Sequence, residues 1–310
     1  MKKFVVSLLF LLVSTLGLML VNDTLNKFLM LSSSANTAYK TYRLFVQCPT
    51  DEIGIFGSSR AFTSYAPSLF PVKTFNYGYD GSTMAETLFL VKQALKNSSS
   101  MPIIINIEPW GFPKNPEINF VLNYQLALSN KSVFDALPPS KKTISDRIPG
   151  VRFHGMFRQN LGLYYNSKSA TFTQIDSGSE LHKTIRTPKE WKALNEKLRT
   201  TPHEFNENSY FESELVKIYE STSRPIVLIV SPCSKAWIET FTGEPQLINF
   251  LNRQKQHSNV YTLNFCSSNS CWDNEFFRDP THLNLTGAKR FTIEVINRLK
   301  TCPKLGKYFR

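Results

Sequence analysis

Three short stretches hold residues whose types and spacing suit nucleophilic chemistry. "FGSSRAF" (56–62) sets two hydroxyls, Ser58 and Ser59, just after a glycine. "DPTH" (279–282) sets Asp279 and His282 three residues apart. "NYGYDGST" (76–83) is a glycine-bearing turn that offers the Gly81 backbone N–H. A serine hydroxyl is a weak nucleophile near neutral pH. It needs an imidazole to take its proton and a carboxylate to orient that imidazole. Ser59, His282 and Asp279 supply those groups if the fold brings them together. Singly, each has a plainer use: Ser59 as a helix N-cap, Asp279 as a cap in a solvated loop. Ser58 is the competing nucleophile.

The elements that would position them are legible as an alternation. Short apolar strands fall at 53–56, within 72–83, at 101–110, 224–232 and 259–265. Helical periods fall at 83–97, 209–221, 236–254 (broken at Gly243–Pro245) and 285–300. Five strands alternating with helices predict an α/β fold with a five-stranded, doubly wound parallel sheet, whose ligand site lies beyond the carboxyl ends of the strands. Past those ends stand Ser59, then Gly81, then Glu108 and Trp110, then Ser231 and Cys233, and after a loop Asp279 and His282. Glu108 and Trp110 are candidates to touch a substrate, or else a strand cap and a core aromatic.

Residues 111–205 interrupt the alternation and read as an irregular insertion or lid. They carry 14 Lys/Arg against 8 Asp/Glu, half of the chain's +12 charge. Within it, Arg152, His154 and Arg158 form a basic cluster suited to an anionic group or to a solvated face. His182, His203 and His257 read as surface residues.

The chain begins "MKK", then runs eighteen residues (4–21) without a charge. That approaches the roughly 20 needed to span a bilayer, and Lys2 and Lys3 would keep the start cytoplasmic. The expected organisation is a signal anchor (1–21), a polar stalk (22–50) and an exported domain (51–310) holding the insertion; a cleaved signal peptide is the alternative. The basic balance fits an anionic surface or polymer. Nucleic acid is disfavoured, because no zinc-knuckle spacing, RNP-type motif or basic helix is present. The five cysteines include no CxxC pair, which argues against a structural zinc site; no metal or cofactor is expected. In an oxidising compartment the candidate bridges are Cys266–Cys271 and Cys48–Cys302, with Cys233 left over.

The blocks "FGSSRAF", "NYGYDGST" and "DPTHLNLTGA" together resemble those of the SGNH (GDSL-like) hydrolases and acyltransferases, over about residues 51–110 and 222–300. The resemblance implies a flavodoxin-like sheet, Ser59 as nucleophile, His282 as base, Asp279 as orienter, and the Ser59 and Gly81 N–H groups as oxyanion donors. One block departs. Where the family carries G-x-N with an oxyanion-binding Asn, this chain has "NIEPWG". Asn106 falls inside the strand, expected to face the core, and an ionised Glu108 cannot donate. "EPW" and the anchor resemble the membrane-anchored branch that holds the teichoic acid D-alanyl-transfer protein and polysaccharide O-acetyltransferases. That branch implies acyl transfer to or from an envelope polysaccharide, beside a membrane-bound O-acyltransferase. The alternatives are a catalytically weak binding or assembly protein, and a small-ester or lipid esterase.

Overall fold

The structure is a computed structural model describing residues 2–113, 161, 164–165, 173–198, 203–269 and 272–310. The chain divides into two compact units, Met1–Gln47 with Leu122–Ala170, and Cys48–Val121 with Thr171–Arg310.

In the first unit, α1 (Lys2–Leu31) is a single helix of 30 residues, about 45 Å at 1.5 Å per residue. Its apolar side chains from Phe4 to Val21 are mostly exposed, and its best window has a mean hydropathy of 2.7. It is long and apolar enough to be a membrane anchor or a signal sequence. A short helix, α2 (Thr37–Tyr42), follows, capped by the Asn36 side chain.

The second unit is built on one sheet. β1 (Ile53–Phe56), α3 (Ser59–Ser64), β2 (Thr74–Asn76), α4 (Met84–Leu95) and β3 (Ile103–Asn106) form its first part. An antiparallel hairpin, β4 (Thr173–Asp176) and β5 (Ser179–His182), and α5 (Pro188–Leu198) come next. Then come α6 (Ser209–Glu220), β6 (Ile226–Val230), α7 (Lys235–Ile238), α8 (Glu244–Gln254), β7 (Val260–Asn264), the small hairpin β8 (Phe277–Asp279) and β9 (His282–Leu283), and α9 (Leu285–Thr301). The main sheet is all parallel, in the order β2-β1-β3-β6-β7. Its central strands are fully buried, which is why they read as unbroken apolar runs.

α4 starts on a capping box: the Thr83 hydroxyl accepts from the Glu86 N–H and the Glu86 carboxylate accepts from the Thr83 N–H. α9 buries Phe291, Val295, Ile296 and Leu299 against the apolar cluster that contains Ile53, Ile55, Val227 and Phe265.

The 236–254 segment is two helices, with the break beside Gly243–Pro245 as the sequence suggested. One departure from the sequence expectation stands out. The hairpin at 173–182 lies where the sequence looked irregular. Its turn is Ser177 (φ 42) and Gly178 (φ 93), the left-handed pair a tight hairpin requires. Asp176 accepts hydrogen bonds from the Ser68 backbone and hydroxyl, and the Ser177 carbonyl accepts from the Asn76 N–H, so the hairpin is tied to the end of β2.

Candidate active site

β1 leads to Ser58 and Ser59 through a turn that favours glycine. Gly57 has φ +150, and a Cβ there would meet the Cβ atoms of Ala61 at 2.8 Å and Asn106 at 2.9 Å. Ser58 and Ser59 follow, with Ser59 the first residue of α3. The β8–β9 hairpin delivers the other two groups. Its Pro280–Thr281 turn is fixed to the start of α7, the Pro280 carbonyl accepting from the N–H of Ser234, the N-cap of that helix, at 2.9 Å. Asn284 then caps α9 through the Gly287 N–H at 3.0 Å, while its amide donates to the Glu275 carbonyl at 2.6 Å.

The three side chains form a continuous relay. The Ser59 hydroxyl lies 2.9 Å from His282 Nε2, and His282 Nδ1 lies 2.9 and 3.0 Å from the two Asp279 oxygens. Asp279 Oδ1 also accepts from the Thr281 N–H at 3.1 Å and the His282 N–H at 3.0 Å, and Arg278 Nε donates to Oδ2 at 3.3 Å. Burial alone would raise the Asp279 carboxyl. The hydrogen bond and charge of His282, the Thr281 amide and Arg278 outweigh that and hold it well below the ordinary carboxylate range. Asp279 is therefore ionised, which fixes Nδ1 as the protonated ring nitrogen and leaves Nε2 to accept the Ser59 proton.

Ser59 opens onto a cavity of about 470 Å³, lined by Gly81, Ser82, Asn106, Glu108 and Trp110 among others. Gly81 has φ +75. Trp110 is 38% exposed, on a turn whose carbonyl accepts from the Asn206 N–H at 3.1 Å. Ser58 stands at the N-cap position of α3 but its side chain makes no capping bond; its hydroxyl donates to Glu108 Oε1. Burial pushes the Glu108 carboxyl up, opposed by Arg60 at 3.8 Å and by the Ser58 hydroxyl. Arg60 is fully buried; it donates to the Ser231 and Pro232 carbonyls at 2.5 and 2.8 Å and lies 5.6 Å from the Trp110 ring centre.

Asn106 ends β3 and is buried, as its place inside the strand suggested, and it borders this cavity. The Tyr65 hydroxyl donates to its Oδ1 at 3.3 Å. Its Nδ2 lies near enough to Glu108 to favour that carboxylate, but has no hydrogen-bond partner of good geometry among the described residues. An unsatisfied buried amide N–H beside a serine is a donor awaiting an acceptor.

His182 differs from its surface reading. It is partly buried near Arg278, His282, Asp279 and Asp80, and burial together with Arg278 lowers its pKa to about 4. It is therefore neutral near pH 7. The basic cluster Arg152, His154 and Arg158 lies outside the described residues, as does Cys271. Among the described residues Cys48, Cys233, Cys266 and Cys302 form no disulfide. No group of three or more potential metal ligands exists among the described residues. Arg60 and Arg278 are the contributors that sequence reading passed over; each adjoins a candidate residue, Ser59 and Asp279 respectively. No protein-family model matches the chain, and no curated protein sequence does.

Proposed function

We propose that this protein is a serine-dependent O-acyltransferase or esterase of the SGNH type, acting on an acyl group carried to or from an envelope polysaccharide. The observation that supports this most is the Ser59–His282–Asp279 relay at the carboxyl edge of a parallel sheet, opening into a cavity. The strand order β2-β1-β3-β6-β7 is that of flavodoxin-like sheets and agrees with this reading.

In the first half-reaction, Ser59 Oγ attacks the acyl carbonyl carbon while its proton passes to His282 Nε2. The developing oxyanion takes hydrogen bonds from the N–H groups of Ser59 and Gly81 and from Asn106 Nδ2. The bond to the leaving group then breaks, and His282 returns its proton to that group. In the second half-reaction, a polymer hydroxyl or water gives its proton to His282 and attacks the acyl carbon; the bond to Ser59 Oγ breaks, and His282 returns the proton to that oxygen. Trp110, exposed at the cavity, offers a flat face to a sugar ring. The apolar α1 would hold this chemistry at a membrane surface, beside a membrane-bound O-acyltransferase that supplies the acyl group.

An active-site serine probe tests the reading. The intact protein should gain the probe mass and Ser59→Ala should not; equal labelling of the two would sink the assignment.

A further inference from the structure

The cavity beside Ser59 reaches one side of the nucleophile and not the other. Its lining comes from the turn after β1, from residues 80–84 and Thr87 around the start of α4, from Asn106, Glu108 and the 110–113 strap past β3, and from Asn206. Among the described residues, none from the β8–β9 hairpin, which carries Asp279 and His282, takes part. A carbonyl carbon attacked by Ser59 Oγ has three other substituents to place. Its oxygen turns to the Ser59 and Gly81 N–H groups. Its leaving oxygen must stay within reach of His282 Nε2, which returns a proton to it. The acyl chain takes the direction that remains, away from the hairpin, and the cavity occupies that direction.

We infer that this cavity receives the acyl half of the substrate, and that the group carried is an uncharged hydrocarbon acyl chain longer than acetyl, its length set by Met84 and Phe112. The inference rests on the acyl-transfer reading above and names its substrate class.

Size and lining carry it. About 470 Å³ falls among pockets that hold whole small molecules, whereas an acetyl group adds only a methyl to the carbonyl. Met84 and Phe112 are buried. The Phe112 ring stacks on Phe211 at 5.6 Å between centres and meets Phe250 edge-on at 5.3 Å. The strap is laced to its neighbours: the Asn206 carbonyl accepts from the Phe112 N–H at 2.9 Å, and the Asn208 amide donates to the Pro113 carbonyl at 2.8 Å. Gly111 (φ 78) permits this approach, since a Cβ there would meet the Asn206 oxygen at 2.2 Å. The α4 part of the lining is fixed by its capping box.

The lining hydroxyls are already committed. Ser82 and Thr87 donate to the Thr83 carbonyl at 3.2 and 3.1 Å, Thr83 donates to the Glu86 carboxylate at 3.4 Å, and Ser58 donates to Glu108. These groups present no free proton to a ligand, so the surface left to an acyl chain is mainly the carbon of Met84, Phe112 and Pro113. Trp110, the exposed member of the strap, stays available to an acceptor. Asp80 is exposed at the cavity, and its charge disfavours a chain that ends in a carboxylate.

The test compares the nitrophenyl esters of acetate, propionate, butyrate and succinate on the full-length chain in detergent. It reads the acylation burst of wild type, Ser59→Ala and Met84→Trp, each rate divided by the ester's own hydrolysis in buffer. Each methylene buried in the cavity should raise the Ser59-dependent rate about fourfold, so butyrate should exceed acetate by about fifteenfold. Met84→Trp fills the cavity and should bring that ratio down to about one. Should this variant fail to fold, the wild-type series decides. A Ser59-dependent rate that is level or falls from acetate to butyrate overturns the inference and leaves the acyl-transfer reading standing. A succinyl ester as fast as butyrate overturns the uncharged chain, and an unchanged ratio in folded Met84→Trp overturns the role of Met84. No Ser59-dependent acylation with any ester refutes both readings.

Discussion

Asn106→Ala separates a catalytic from a structural role for the third oxyanion donor. The structural cost is small and can be worked out. Nδ2 is a buried donor with no hydrogen-bond partner among the described residues, and such a group costs about 1–3 kcal/mol to keep buried. Removing it recovers much of that. Against this stands the Tyr65 hydroxyl, which loses a long 3.3 Å bond and a similar amount at most. The deleted atoms line an open cavity, so no sealed void forms. The net change in stability is within about 1 kcal/mol, a shift in Tm of roughly 4 °C or less. Loss of an oxyanion donor instead lowers the acylation rate by about 10²–10³, or roughly 2.7–4 kcal/mol. Stopped-flow release of nitrophenol from a nitrophenyl ester reads acylation, and calorimetry reads Tm on the same samples. A rate within about threefold of wild type refutes the donor role. A large fall in Tm would refute the accounting that makes Asn106 structurally dispensable.

Asp279→Asn should cut kcat by about 10³–10⁴, because an amide oriented by its neighbours no longer selects the right imidazole tautomer. Its effect on acid stability carries a definite sign. The folded carboxyl is depressed, so its contribution is present above the unfolded pKa of about 3.9 and is lost as pH falls toward the folded value. Melting curves from about pH 5 downward should therefore fall less steeply in the variant than in wild type. Arg60→Met leaves Glu108 buried without its cation and two carbonyls without their donor. Urea unfolding should show a loss of about 3–5 kcal/mol, and a loss under about 1 kcal/mol would mean the buried charge is compensated elsewhere. Trp110→Ala should raise KM for a polysaccharide acceptor by about tenfold (about 1.4 kcal/mol) and leave the acylation burst unchanged; a fall in the burst itself would count against an acceptor platform.

How much of this was legible depends on whether the signal was local. β1, β3 and β6 are buried on both faces, so apolarity alone marked them. "DPTH" was legible because both residues sit in one tight hairpin, and the strand ends ordered it opposite Ser59. That Asn106 Nδ2 would be buried without a hydrogen-bond partner was not legible, because this depends on how Gly57 and Tyr65 pack around it. The 173–182 hairpin hid because its alternation is short and polar, although "DSGS" is a hairpin turn in retrospect.

Arg60, Glu108 and Ser58 together bear on which serine reacts. The resembling family places an acidic residue just before its nucleophile; here that position is Ser58, and the carboxylate arrives from beyond β3 as Glu108. Ser58 spends its only proton on Glu108 Oε1, whereas the Ser59 hydroxyl faces His282 Nε2 at 2.9 Å. Glu108 is a poor base for that proton, because the Arg60 charge beside it favours its ionised form. Arg60 also strengthens the hydrogen bond from Ser58, because its charge opposes the burial that would otherwise neutralise Glu108 and weaken it as an acceptor. The choice between two adjacent serines, open in the sequence, thus becomes a question of where each proton goes. Ser58→Ala should accordingly keep most of the acylation rate that Ser59→Ala abolishes, and the reverse ranking would exchange their roles.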